Sequence, residues 1–276
     1  EGKDPEVPVG PDEFLQDMRE CAVRSLGVCA NSDSVVEQLL KVGSIGRLHR
    51  LLLSKWPPLR LSAVRTLRNF TAYQAGALEA ASAESIIGAI EKLLRMVEED
   101  RLVSEVTASV ANMCLYRDNI PNVVTPRVCR GLVAVLGKAC NAARSYACNA
   151  ARFVAQGKSS LHHGSLVETG VIPALCLLLD VQMETPGGCA ECAAGAIARY
   201  VVAEEGYAAR AVDAAALGKL IYLLRCGCVS AREQACKALL MFGRSQSYRI
   251  ILLQIGGNDA ARSALQRLGG GSGPAR

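Results

Sequence analysis

The chain repeats itself every 42 residues or so, and that periodicity restricts it to folds built by stacking one unit on the next. A leucine-rich pattern recurs at Leu48-Leu51-Leu52, Ile90-Leu93-Leu94, Leu132-Val135-Leu136, Leu175-Leu178-Leu179 and Leu220-Leu223-Leu224. Successive first positions are 42, 42, 43 and 45 residues apart. A second pattern follows each copy about 15 residues later. It places a small residue, an aliphatic four later and a larger apolar residue three after that. The copies are Ala63-Leu67-Phe70, Val106-Val110-Met113, Ala147-Ala151-Val154, Ala193-Ile197-Tyr200 and Ala235-Leu239-Phe242. An earlier one, Ala22-Leu26-Cys29, stands without a leucine-rich partner.

Within each unit apolar residues fall at i, i+3, i+4 and i+7, the period of a helix with one buried face. The first full unit reads as a short helix over 35–42 ending at Gly43, a second over 45–53 stopped by Pro57-Pro58, and a longer third over 59–71. The glycine between the first two helices, where a sharp turn favours a residue without Cβ, recurs as Gly170 and Gly218. Pro173 suits a first helical turn, where a missing N–H costs nothing. One such unit cannot bury its apolar stripe alone, so neighbours must share a continuous core.

The run Leu166-Val167-Glu168-Thr169-Gly170-Val171-Ile172-Pro173-Ala174-Leu175-Cys176-Leu177-Leu178 resembles an armadillo junction between first and second helices. Ala63-Val64-Arg65-Thr66-Leu67-Arg68-Asn69-Phe70 resembles the third helix, with its asparagine. The resemblance covers roughly residues 14–268 and implies an all-α, right-handed α-solenoid of about seven three-helix repeats. HEAT-type units lack the short helix and its glycine turn. Residues 1–13, with their prolines and acids, read as an N-terminal linker, and 269–276 as a Gly-rich tail. The longer connection around 181–188 reads as a further contact loop.

Composition narrows the function. Thirty-one basic against 26 acidic residues give +5, a smaller excess than nucleic-acid readers carry. No stretch approaches the roughly 18 apolar residues of a membrane span. The first residue is Glu1, as in a processed form or a fragment. The twelve cysteines lack a pairing pattern, which points to free thiols in a reducing, intracellular compartment, the cytoplasm first, with an organelle or cilium open. Cys21, Cys29, Cys148, Cys176 and Cys236 are expected as buried thiols acting as small hydrophobes. Cys189 and Cys192 form a CxxC, but zinc needs four ligands, and the nearest histidines, His162 and His163, fall on another helix. No phosphate loop, catalytic triad or carboxylate pair is found, so no enzyme activity, cofactor or metal is expected.

The resemblance places extended peptides in a concave groove lined by third helices. It implies a peptide-bonding role for Asn69 and Asn112. The equivalent positions elsewhere hold Val28, Phe153, Arg199 and Met241. Four residues earlier, where karyopherin-alpha-type proteins carry tryptophans, stand Arg24, Arg65, Ala108, Asn149, Gly195 and Lys237, so a transport adaptor is the weaker reading. The only tryptophan, Trp56, falls between helices. The candidate groove residues are Arg24, Arg65, Arg68, Asn69, Asn112, Asn149, Arg152, Arg199 and Lys237, a basic set suited to an acidic segment as in beta-catenin-like solenoids. The same residues would also serve as an ordinary solvated helix face, and both readings stay open. The expected function is a protein-binding scaffold or adaptor. The alternative is a structural subunit built permanently into a large assembly, whether ciliary, mitochondrial or other.

Overall fold

The computed structural model describes residues 11–157, 160–180, 188–256 and 259. It is an all-α solenoid, with seventeen α-helices and one 3-10 turn among the described residues. A lone long helix, α1 (Pro11–Cys29), comes first, beginning inside the segment expected as a linker. Unit two holds α2 (Asp33–Lys41), α3 (Ser44–Leu52) and α4 (Pro57–Thr71). Unit three holds α5 (Gln74–Ser82), α6 (Glu84–Leu93) and α7 (Asp100–Leu115). In unit four a 3-10 turn (Arg117–Asn119) runs into the short α8 (Ile120–Val123), before α9 (Pro126–Lys138) and α10 (Asn141–Ala155). Unit five holds α11 (Ser160–Glu168), α12 (Val171–Leu178) and α13 (Cys189–Ala203). Unit six holds α14 (Glu205–Asp213), α15 (Ala216–Cys226) and α16 (Val229–Phe242), and α17 (Gln246–Gln254) follows. Residues 1–10 and 269–276, and the expected contact loop at 181–187, lie outside the described residues.

Local chemistry sets the helix ends. Pro57 and Pro58 occupy the first turn of α4, where proline needs no donor and its fixed φ suits the helix; they start the third helix rather than end the second. Pro126 does the same for α9, and Thr125 caps it by accepting from the Val128 N–H at 3.2 Å.

The long helices α1, α4, α7, α10, α13 and α16 pack each against the next. Ala63, Ala147, Ala193 and Ala235 are wholly buried, and Gly27 leaves room for Thr66, whose Oγ1 would lie 2.6 Å from a Cβ there. Polar bonds lock the phase between units: Thr66 donates to Val23 O at 2.9 Å and Ser230 to Glu191 Oε2 at 2.6 Å. One apolar cluster runs from Val23 to Phe242.

All twelve cysteines are free thiols. Cys148 and Cys176 are buried as expected, but Cys21, Cys29 and Cys236 are exposed, because the helices that cover their counterparts have no equivalent among the described residues. Cys21 corresponds to Ser62, which is buried facing α1, where it reaches Glu20; no described helix precedes α1. Cys29 corresponds to Phe70, covered by Ala30 and by Val36 of α2; α1 has no described first helix of its own unit. Cys236 corresponds to Cys148 and Ala194, which are buried. Cys148 faces α13, with its thiol 4.0 Å from Cys189 O; no long helix follows α16 among the described residues.

The glycine turns are likewise corrected at one site. Gly43 (φ +72°) and Gly170 (φ +93°) adopt the left-handed conformation between first and second helices. Gly218 lies inside α15, and the turn in unit six is made by Ala215 at φ +59°. A Cβ in that region costs about 1–2 kcal/mol. Ala215→Gly relieves this, less about 0.4–1 kcal/mol of added unfolded-chain entropy. Its urea midpoint should therefore rise, by about 0.5–1 kcal/mol of stability, whereas Gly170→Ala should lower it. A destabilised Ala215→Gly protein would contradict the strain argument.

Candidate functional site

Each long helix presents one open face, and these faces stand side by side because the helices stack in register. On α4 Arg65 is exposed and Arg68 half-buried, and on α10 Asn149, Arg152 and Phe153 are half-buried. Arg24, Arg199 and Lys237 are exposed on α1, α13 and α16. The register of the candidate residues thus follows the ladder, but their chemistry divides into two halves.

In the first half the polar groups are engaged. Glu105 of α7 accepts from Arg65 Nε at 3.3 Å and from Arg68 Nη1 at 2.9 Å. Arg24 approaches Glu20 at 3.8 Å. The Asn69 amide donates to Gly27 O at 2.9 Å, and the Asn112 amide to Arg68 O at 3.3 Å. Both asparagines therefore tie one unit to the one before it. Removing the Asn69 amide would leave a carbonyl short of a donor, a loss of about 1 kcal/mol.

In the second half fewer of the groups are engaged. Asn149, Arg152 and Arg199 have no hydrogen bond or ion pair among the described residues. The Arg152 guanidinium carbon lies 5.1 Å from the Phe153 ring centre, a distance at which ring and cation attract. Gly195 gives this region its space: a Cβ there would stand 3.2 Å from Gln234 Oε1 and 3.9 Å from Arg152 Cδ. Lys237 pairs within its own helix, with Glu233 at 2.6 Å.

Sequence reasoning missed Glu105, although it stands one repeat, 40 residues, beyond Arg65. A search of the third-helix register for acids as well as bases would have found it.

The CxxC has another use. Cys189 donates to Asn141 O at 3.2 Å and lies 3.6 Å from Ser145 Oγ. Burial pushes the Cys192 thiol up to about 11 and Cys148 well above its ordinary value, so these thiols stay protonated and unreactive. Among the described residues no group of three or more His, Cys, Asp or Glu side chains is placed to hold a metal ion. No described helix is long and apolar enough to cross a membrane.

Comparison with solved structures places the fold. A designed armadillo repeat protein in complex with the peptide (KR)4 matches with a TM-score of 0.71 at 21% identity, over 84% of this chain and 95% of that one. A computationally designed armadillo repeat protein for modular peptide recognition gives a TM-score of 0.71 at 21% identity, over 84% and 94%. An engineered protein from a structural genomics programme matches at 22% identity and a TM-score of 0.71, over 82% and 92%. The architecture is the armadillo repeat fold. No protein-family model and no curated protein matches the sequence.

His163 is buried, its Nδ1 sharing a hydrogen bond with the Tyr207 hydroxyl at 3.2 Å and its ring edge-on to the Tyr207 ring. This pair joins α11 to α14. Burial lowers the His163 pKa, opposed by Glu204 and aided by His162. The unfolded chain therefore takes up this proton first as pH falls through about 6.5. Stability should be flat above that point and fall below it. Unfolding midpoints from about pH 7.5 to about pH 5 should show this acid loss, and His163→Gln should reduce its slope. An unchanged slope would show that other groups cause the loss.

Proposed function

We propose that the chain is a non-catalytic scaffold that holds an extended, acidic protein segment along its third-helix face, chiefly between α10 and α16. The observation that carries this reading is the division of that face. Arg65 and Arg68 share Glu105, and Asn69 and Asn112 bind backbone, whereas Asn149, Arg152 and Arg199 have no such partners among the described residues. A free guanidinium can fork onto a carboxylate, and a free amide can both donate to and accept from an extended backbone. One structural neighbour carries the basic peptide (KR)4; a face rich in arginine favours a ligand of the opposite sign. The reading needs no cofactor and no nucleic acid.

A second reading, a permanent subunit of a larger assembly, is supported by Phe14, Leu15 and Met18, which leave α1 with exposed apolar surface. An isolated chain that aggregates through α1, and recovers when Met18 and Phe14 are made polar, would favour it.

The direct test is fluorescence anisotropy with a labelled synthetic peptide of glutamate and serine. Affinity should fall as salt rises. Exposed charge contacts contribute about 0.2–1 kcal/mol each, so reversing both Arg152 and Arg199 to Glu should weaken binding by about tenfold or more. Arg65→Glu should matter less. Unchanged binding by the double variant would overturn the groove reading.

A further inference from the structure

We propose that the end of this face carries an anchor pocket for one large apolar side chain of the bound segment, next to arginines that take its acidic neighbours. The proposal rests on the groove reading and adds to it a ligand pattern: an aromatic or large aliphatic residue flanked by carboxylates.

The pocket lies where the C-terminal ends of α13 and α16 meet the starts of α14 and α17. Val201, Val202, Ala208, Met241 and Tyr248 form its apolar lining, around a volume of about 330 Å³. That volume is near the lower end of the roughly 300–1,000 Å³ of small-molecule sites, a size suited to one or two side chains. Met241 occupies the third-helix position that Asn69 and Asn112 hold in earlier units, so the pocket opens onto the proposed peptide path. Val202 is 53% exposed, an apolar residue left without cover on that path.

The walls are held before any ligand arrives. Tyr248 packs edge-on against the fully buried Phe242, with ring centres 5.8 Å apart, and Ala208 is buried in α14. A fixed wall reduces the entropy lost on binding.

Charge selects the occupant. Arg244 lines the pocket, and Arg199, three residues before Val202 on α13, shares that helix face. Neither has an ion pair among the described residues. Glu205 is the one acid in the lining. It sits in the first turn of α14, where the helix N-terminus offsets its charge. Acidic residues beside the anchor are thus drawn to the Arg199 and Arg244 side.

Two synthetic peptides test this on the full chain. Both are rich in glutamate and serine; one has a central phenylalanine where the other has alanine. The chain has five methionines, so methyl-labelled methionine gives few NMR signals, and Met241→Leu assigns the relevant one. The phenylalanine peptide should bind about tenfold more tightly and shift the Met241 methyl signal by ring current. Val202→Gln, at an exposed position, should abolish that preference while leaving the helical circular dichroism unchanged. Equal affinities, or tighter phenylalanine binding with an unmoved Met241 signal, would overturn the pocket and leave the groove reading intact. Failure of both peptides to bind would overturn both.

Discussion

The structure depends on long helices that stack closely enough to share one core. Thr66, Ser109, Ala150, Ala196 and Ala238 occupy the same place in successive units, and all are buried. Small side chains there let helix backbones approach, and the apolar stripe of each unit is covered only by its neighbours. The open face, the polar bonds between units and the terminal pocket all follow from that stacking.

Stacking also makes the environment of a residue depend on its unit's place in the array. Cys148 and Cys236 stand at equivalent positions, yet Cys148 is buried and Cys236 exposed. The chemistry of the two residues is the same; Cys148 is covered by α13, and no long helix covers Cys236 among the described residues.

The same geometry distributes charge. A displacement of one repeat brings Glu105 within reach of both Arg65 and Arg68, and their attraction, though weak near solvent, turns the early face inward on itself. Among the described residues between α10 and α16, no acid forms an ion pair with Arg152 or Arg199. A uniform ladder of helices therefore carries a half whose charges pair between units and a half in which, among the described residues, Arg152 and Arg199 have no ion pair.

Helical period, unit length and the shared core were legible in the sequence because each is a local pattern repeated many times. Gly43 and Gly170 marked their turns because glycine alone adopts left-handed backbone freely. The turn at Ala215 was not legible: packing of α14 and α15 imposes that backbone on whatever residue stands there, and Gly218 nearby points to the wrong place. The nine candidate residues were likewise readable as a register, but not by role. Whether Asn69 meets a ligand or the Gly27 carbonyl, and whether an arginine is neutralised, is decided by the side chain one unit away, some 40 residues along the chain. Periodicity determines which positions face each other; only the packed units decide which polar groups satisfy one another and which remain open.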